Sequence, residues 1–140
     1  MRRVRLLKIA AASFNLNSFS GTSLRDIAGK INITDAALYY YVKNKEELVF
    51  LCYDRALQMI ADVLERARTV PGTGLDGLRY YIDGHIEAMC GPEGPIAILS
   101  EVSSLTPAHA TTIRKRVREA ADAIVALINI GIEDGSIGPC

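Results

Sequence analysis

No stretch of the 140 residues approaches an unbroken apolar run of eighteen or more, the length a membrane-crossing helix requires. Cysteine is scarce: Cys52, Cys90 and Cys140 are odd in number and widely spaced. They suit neither a disulfide framework nor a zinc motif, and a reducing, cytoplasmic setting is the expectation. Gly72 and Gly74 lack the following lysine of a phosphate-cradling loop. His85 and His109 have no partners at ligand spacing, so no metal or cofactor is expected. No paired acids or activated nucleophile stand out, and an enzyme is not expected. Strand alternation, internal repeats and low-complexity tracts are likewise missing.

Formal net charge is also lacking, but its distribution is uneven. Residues 1–45 hold eight basic side chains against Asp26 and Asp35, a surplus of six. The remainder holds eight basic and fourteen acidic side chains, a deficit of six. A basic third on an acidic body is the footprint of a polyanion-binding unit.

What is present reads as helix throughout, and 49% apolar composition allows a packed core. MRRVRLLKIAAASF begins like a leader, but Lys8 interrupts its apolar run. Val4, Leu7, Ala11 and Phe14 instead recur at three- and four-residue steps, predicting a helix near 3–17. Ser23 with Asp26 reads as a capping box opening a helix near 23–30. Asn32 falls where a left-handed turn residue is needed. Thr34 caps a short helix over 35–40, and Asn44 with Glu47 opens a long one over 45–68. PGTG (71–74) and GPEGP (91–95) break the chain around a helix near 75–90. A further helix is expected over 95–104, and Thr106-Pro107 opens the last, running toward Gly135.

Two short helices joined by a tight turn, with a third behind, form a helix-turn-helix unit. Its second helix is TDAALYYY (34–41). Three adjacent tyrosines cannot share one buried face, since neighbours on a helix lie about 100° apart. Tyr39 and Tyr40 are therefore expected to offer hydroxyls to phosphates while Tyr41 turns back to pack. Asp35, Ala36 and Ala37 make an unobstructed first turn; the carboxylate suits a cytosine amino group and the methyls a thymine methyl. Lys45, Thr22 and Ser23 stand at helix starts, where free amides and the dipole favour a phosphate, and Arg25 and Lys43 add positive charge nearby.

The run from Ala11 to Leu48, with Phe14, GTSLRDIAGKINIT and LYYYVKNKEEL, resembles the DNA-binding domain of the tetracycline-repressor (TetR) family of bacterial transcription regulators. The resemblance implies an all-α protein with a helix-turn-helix domain over 1–45 and a helical ligand-binding and dimerisation body over 46–140. It implies operator contacts at Thr22, Thr34, Tyr39, Tyr40 and Lys45, with residues 35–37 facing bases. Ser18 and Asn32 depart from it, each standing where that family usually has glycine, with strain expected at Ser18.

The same resemblance implies a repressor of double-stranded operator DNA that works as a homodimer and is released by a small, apolar effector. Tyr53, Met59, Tyr81, His85, Met89 and Leu99 are the candidate effector-binding residues, although an aromatic or Met at helical spacing is more often plain core. Two further helices would be implied beyond Cys140, so the chain reads as C-terminally shortened. Arg114, Lys115, Arg116 and Arg118 read as a solvated helix face. The competing function is a helical protein-interaction module that keeps the fold without reading DNA sequence.

Overall fold

The structure, a computed structural model, describes residues 2–140; Met1, which opens the expected N-terminal unit, lies outside the described residues. Those residues form six α-helices and no strand. They are α1 (Arg2–Asn17), α2 (Leu24–Lys30), α3 (Asp35–Tyr41), α4 (Lys45–Ala67), α5 (Gly74–Cys90) and α6 (Pro107–Glu133).

Local chemistry explains most boundaries. Ser23, Thr34, Asn44, Thr73 and Thr106 each accept a hydrogen bond from the amide three residues on, satisfying a donor that has no partner inside its helix. Only Thr73 completes a reciprocal box, the Asp76 carboxylate accepting Thr73 N–H at 2.8 Å. Elsewhere the expected reciprocity differs. Glu47 reaches one residue further back, accepting Lys43 N–H at 2.6 Å rather than that of Asn44.

Asn32 adopts φ +56° and closes α2. Its N–H donates to Gly29 and the next N–H, of Ile33, donates to Ala28, the double bond of a Schellman close. Ser18 likewise sits at φ +66° after α1, in the left-handed region where the strain was expected.

The expected helix over 95–104 does not form. Only Val102–Ser104 make a single 3-10 turn. Side chains of other elements take the backbone groups that a helix would use internally. Asn15 donates to Ile96 O (2.9 Å) and accepts from Ile98 N–H (2.8 Å), while Tyr53 Oη accepts from Glu101 N–H (3.2 Å). The segment is an irregular strap held by Asn15 of α1 and Tyr53 of α4.

Two apolar clusters organise the packing. The first joins α1, α2, α3 and the start of α4 around Leu6, Ile27, Leu38 and Leu48, and takes in Ala97, Leu105 and Ile113. The expected boundary at residue 45 thus falls inside a continuous core. The second lies among α4, α5 and α6, around Ile60, Leu64, Ala88 and Leu127. There α5 and α6 cross so closely that a Cβ on Gly74 would stand 2.1 Å from Gly131 N, and only a hydrogen fits.

Candidate nucleic-acid interface

α3 turns one residue fully inward. Leu38 is completely buried, and Ala37 is half-covered beside it. Asp35 and Ala36 are exposed in the first turn. Tyr39 is 57% and Tyr40 88% exposed, whereas Tyr41 packs against the first cluster with its ring edge-on to Tyr40. Two hydroxyl-tipped rings therefore stand free in solvent on a seven-residue helix, held by one leucine anchor.

A groove of about 570 Å³ separates α3 from the start of α2. Ser23, Arg25, Asp35, Tyr39 and Lys45 line it. Ser23 and Thr34 accept their caps from Asp26 N–H (3.0 Å) and Ala37 N–H (3.1 Å). A hydroxyl that accepts keeps its own proton to donate, so both caps can still bond an anion. Arg25 and Lys43 are exposed beside them.

Two expected contact residues have a different first duty. Thr22 is buried, and its hydroxyl faces Ser18 O (2.8 Å) and Ser13 O (3.2 Å). That hydroxyl is engaged with backbone oxygens, so its proton is not free for a phosphate in this arrangement. Lys45 lies over the Phe19 ring at 4.0 Å and donates to Phe19 O (2.5 Å) and Thr22 O (3.0 Å). Its ammonium ties the start of α4 to the 18–22 loop, so two of its three protons point inward. Neither partner is visible at local spacing. Sequence reasoning also missed Ser13, the shared partner of Thr22 and of Lys30 Nζ (2.9 Å), which shows no pattern of its own.

The expected effector residues divide into three places. His85, Met89 and Leu99 line one apolar cavity of about 260 Å³ with Ile60, Ile96 and Ile98. Tyr81 stands behind them, its hydroxyl 3.3 Å from His85 Nδ1 and its rings in edge contact with that imidazole. Burial pushes the Tyr81 phenol above its ordinary pKa. Tyr53 does not reach the cavity: it is closed into the first cluster, its hydroxyl held by Glu101 and its phenol raised by burial. Met59 faces the opposite flank of α4, in a groove with Asp62, Tyr80 and Glu87. Helical spacing told that these residues were amphipathic but not which of two flanks each would take.

Cys52 is buried, with its thiol pushed up to about 12 by loss of solvent, and it makes an inert filler. Among the described residues, no three His, Cys, Asp or Glu side chains converge as a metal site would need, and no helix is long and apolar enough to cross a membrane.

Comparison with known proteins agrees with this geometry. Residues 6–52, which span α1 to the start of α4, match the family of bacterial regulatory proteins of the tetR type. Over 141 aligned residues, the chain is 28% identical to the HTH-type transcriptional repressor KstR2 of Rhodococcus jostii, covering 96% of this chain and 67% of that one. The TetR-family regulator PfmR of Thermus thermophilus shares the fold with a TM-score of 0.81 at 23% identity, over 97% of this chain and 75% of its own. AibR, solved with isovaleryl coenzyme A and operator DNA, gives a TM-score of 0.80 at 26% identity, over 99% of this chain and 76% of its own. The chain thus spans two-thirds to three-quarters of the length of these relatives. Residues 6–52 therefore match the DNA-binding part of the TetR family, and the chain as a whole is similar to transcriptional regulators of that family.

Proposed function

We propose that this chain is a repressor that reads a twofold operator through α3 and lets go when an effector fills the cavity between α4, α5 and the strap. The observation that carries the reading is the outward face of α3. Asp35, Ala36, Tyr39 and Tyr40 are solvent-facing on a helix anchored by Leu38, beside the capped start of α2. In this reading residues 1–45 contact DNA and 46–140 sense the effector. Ser23, Arg25, Thr34, Tyr39, Tyr40 and Lys43 bind phosphates, which fix register. Asp35, Ala36 and Ala37 meet base edges, which specify sequence. The protein works in the cytoplasm, as a dimer on half-sites roughly 34–36 Å apart.

The cavity supports an acyl group as the effector's buried part. Its walls are apolar apart from His85, whose Nδ1 lies 3.3 Å from the Tyr81 hydroxyl behind it. Its 260 Å³ equals about nine water volumes at ~30 Å³ each, room for a short or branched acyl chain. A relative of the same fold is known with isovaleryl coenzyme A, a ligand of that kind. Coupling runs through the strap. Ile96, Ile98 and Leu99 line the cavity while Ile96 O and Ile98 N–H are held by Asn15 of α1. A guest that displaces these side chains pulls on α1, which packs on α2 and through it on α3.

The test is linkage. If effector and operator bind different states, each weakens the other by the same factor. Isovaleryl coenzyme A should reduce affinity for the operator duplex in fluorescence anisotropy, and operator should reduce affinity for the thioester equally. Independent binding of the two would overturn the coupling.

A further inference from the structure

Each helix from α2 to α5 carries an acid in its first turn: Asp26, Asp35, Glu46 with Glu47, and Asp76. A negative charge there complements the positive end of the helix. The first turn of α6, 27 residues long, has none. Its anion comes from α4. Glu46 Oε1 accepts Thr106 N–H at 3.0 Å and lies 2.7 Å from His109 Nδ1. The Phe50 ring, one turn on, stacks on that imidazole at 3.8 Å and 7°. The carboxylate is 18% exposed, which strengthens both bonds relative to a solvated pair.

The residues on either side of Glu46 face elsewhere. Lys45 donates to Phe19 O and Thr22 O, in the loop that leads to the Ser23 cap of α2. Glu47 accepts Lys43 N–H just before its own helix. The first turn of α4 is therefore a joint: one side chain grips the DNA-binding unit, and its neighbour grips the body at α6. Two turns up, Asp54 pairs with Arg116 of α6, so α4 is held against α6 at two heights and cannot tilt without breaking one tie. We propose that Glu46 is a positioning residue for operator reading, one that sets the angle between the DNA-binding unit and the body. It acts through Lys45 and α6, not by touching DNA. In a twofold complex that angle fixes how far apart two copies of α3 stand. The inference rests on the twofold reading above and names what holds its half-site spacing.

Two duplexes separate positioning from folding: one from upstream of the chain's own gene, and the same duplex with one half scrambled. A single half-site is indifferent to spacing. In fluorescence anisotropy of the full chain, Glu46→Ala should bind the intact duplex about tenfold more weakly than wild type, the size of one lost charge-assisted bond. On the half-scrambled duplex it should stay within about twofold, since no spacing is read there. Glu46→Gln keeps an acceptor for Thr106 N–H and should recover most of the loss. Glu47→Ala removes the same charge one residue away and should match wild type within about threefold on both duplexes. Equal losses on the two duplexes, or none on either, overturn the inference. Hydrogen exchange reads the joint without DNA. The Thr106 and Phe19 amides should quicken together in Glu46→Ala, by about tenfold, and neither should in Glu47→Ala. Quickening of Thr106 alone would show a local tie and overturn the inference as well. A wild type that binds both duplexes equally, with the two amides still linked, would sink the twofold reading and leave the joint standing.

Discussion

Glu101 holds the amide of Phe19 with both carboxylate oxygens, at 2.9 and 3.0 Å. The carbonyl of the same Phe19 takes the ammonium of Lys45. One residue of the α1–α2 loop is thus tied by its N–H to the strap that walls the apolar cavity beside His85 and Met89, and by its C=O to the first turn of α4. Charge-assisted bonds of this kind are stronger than neutral ones. They make the loop before α2 answer to the body of the molecule.

The strap gives the first prediction. Asn15→Ala removes both bonds to Ile96 and Ile98, in a part-buried to exposed setting where water can replace them. The expected loss of stability is about 1–2 kcal/mol by denaturant unfolding. Operator affinity without effector should stay within about threefold of wild type, since a stability change of this size leaves the chain folded. The decrease in operator affinity caused by isovaleryl coenzyme A should shrink. Coupling of undiminished size would place the signal path elsewhere.

Lysines 43 and 45 should separate cleanly. Lys43 is exposed, and Lys43→Ala should reduce the slope of log affinity against log salt by about 0.9 while weakening all duplexes alike. Lys45 is engaged with two carbonyls and a ring, so Lys45→Ala should lower stability by about 1–3 kcal/mol, the range for losing bonds to a charged group. Its salt slope should change less than that of Lys43→Ala. Titrations at four salt concentrations, beside urea melts, give both numbers.

Asp35→Ala tests base reading. The carboxylate is exposed in the first turn of α3 and can accept from a cytosine amino group, a discrimination of about 1–3 kcal/mol. The variant should lose preference at one position of each half-site and gain general affinity as the negative charge leaves. Binding to a panel of single-position duplex variants shows either outcome.

Acid should loosen the far end of the body. Hydrogen bonds from the Ser136 side chain, the Gly74 N–H and the Ser136 N–H hold Asp134 below the usual carboxylate range. A carboxylate depressed in the folded state contributes its stability fully above the unfolded value, about pH 4, and loses it as pH falls through the lower folded value. Asp134→Asn should therefore reduce stability at neutral pH and flatten the acid limb of a stability–pH profile. A profile parallel to wild type would show that the ties at the α5 start do not depend on that charge.

The helices were legible because their signals are local. Ser23, Thr34, Asn44 and Thr106 cap three residues ahead, and Asn32 closes α2 within its own turn. Residues 95–104 were not legible, because their backbone partners, Asn15 and Tyr53, lie 48 to 83 positions away. Residue type placed Tyr39 and Tyr40 outward, as an uninterrupted run of three rings required. It could not reveal that Thr22 and Lys45 turn inward, since both answers use the same side chains at the same helix starts. The division of Met59 from His85 and Met89 depended on which side of the α4–α5 contact each side chain takes, a tertiary fact.

The central claim is that α3 reads base sequence, and fluorescence anisotropy of the full chain tests it most directly. One duplex would come from upstream of the chain's own gene and one would be its scramble, each at two salt concentrations. The account predicts tighter binding to the native duplex at both salts, steep weakening of both with salt, and loss of the preference in Asp35→Ala. Equal affinity for the two duplexes at every salt concentration would contradict it.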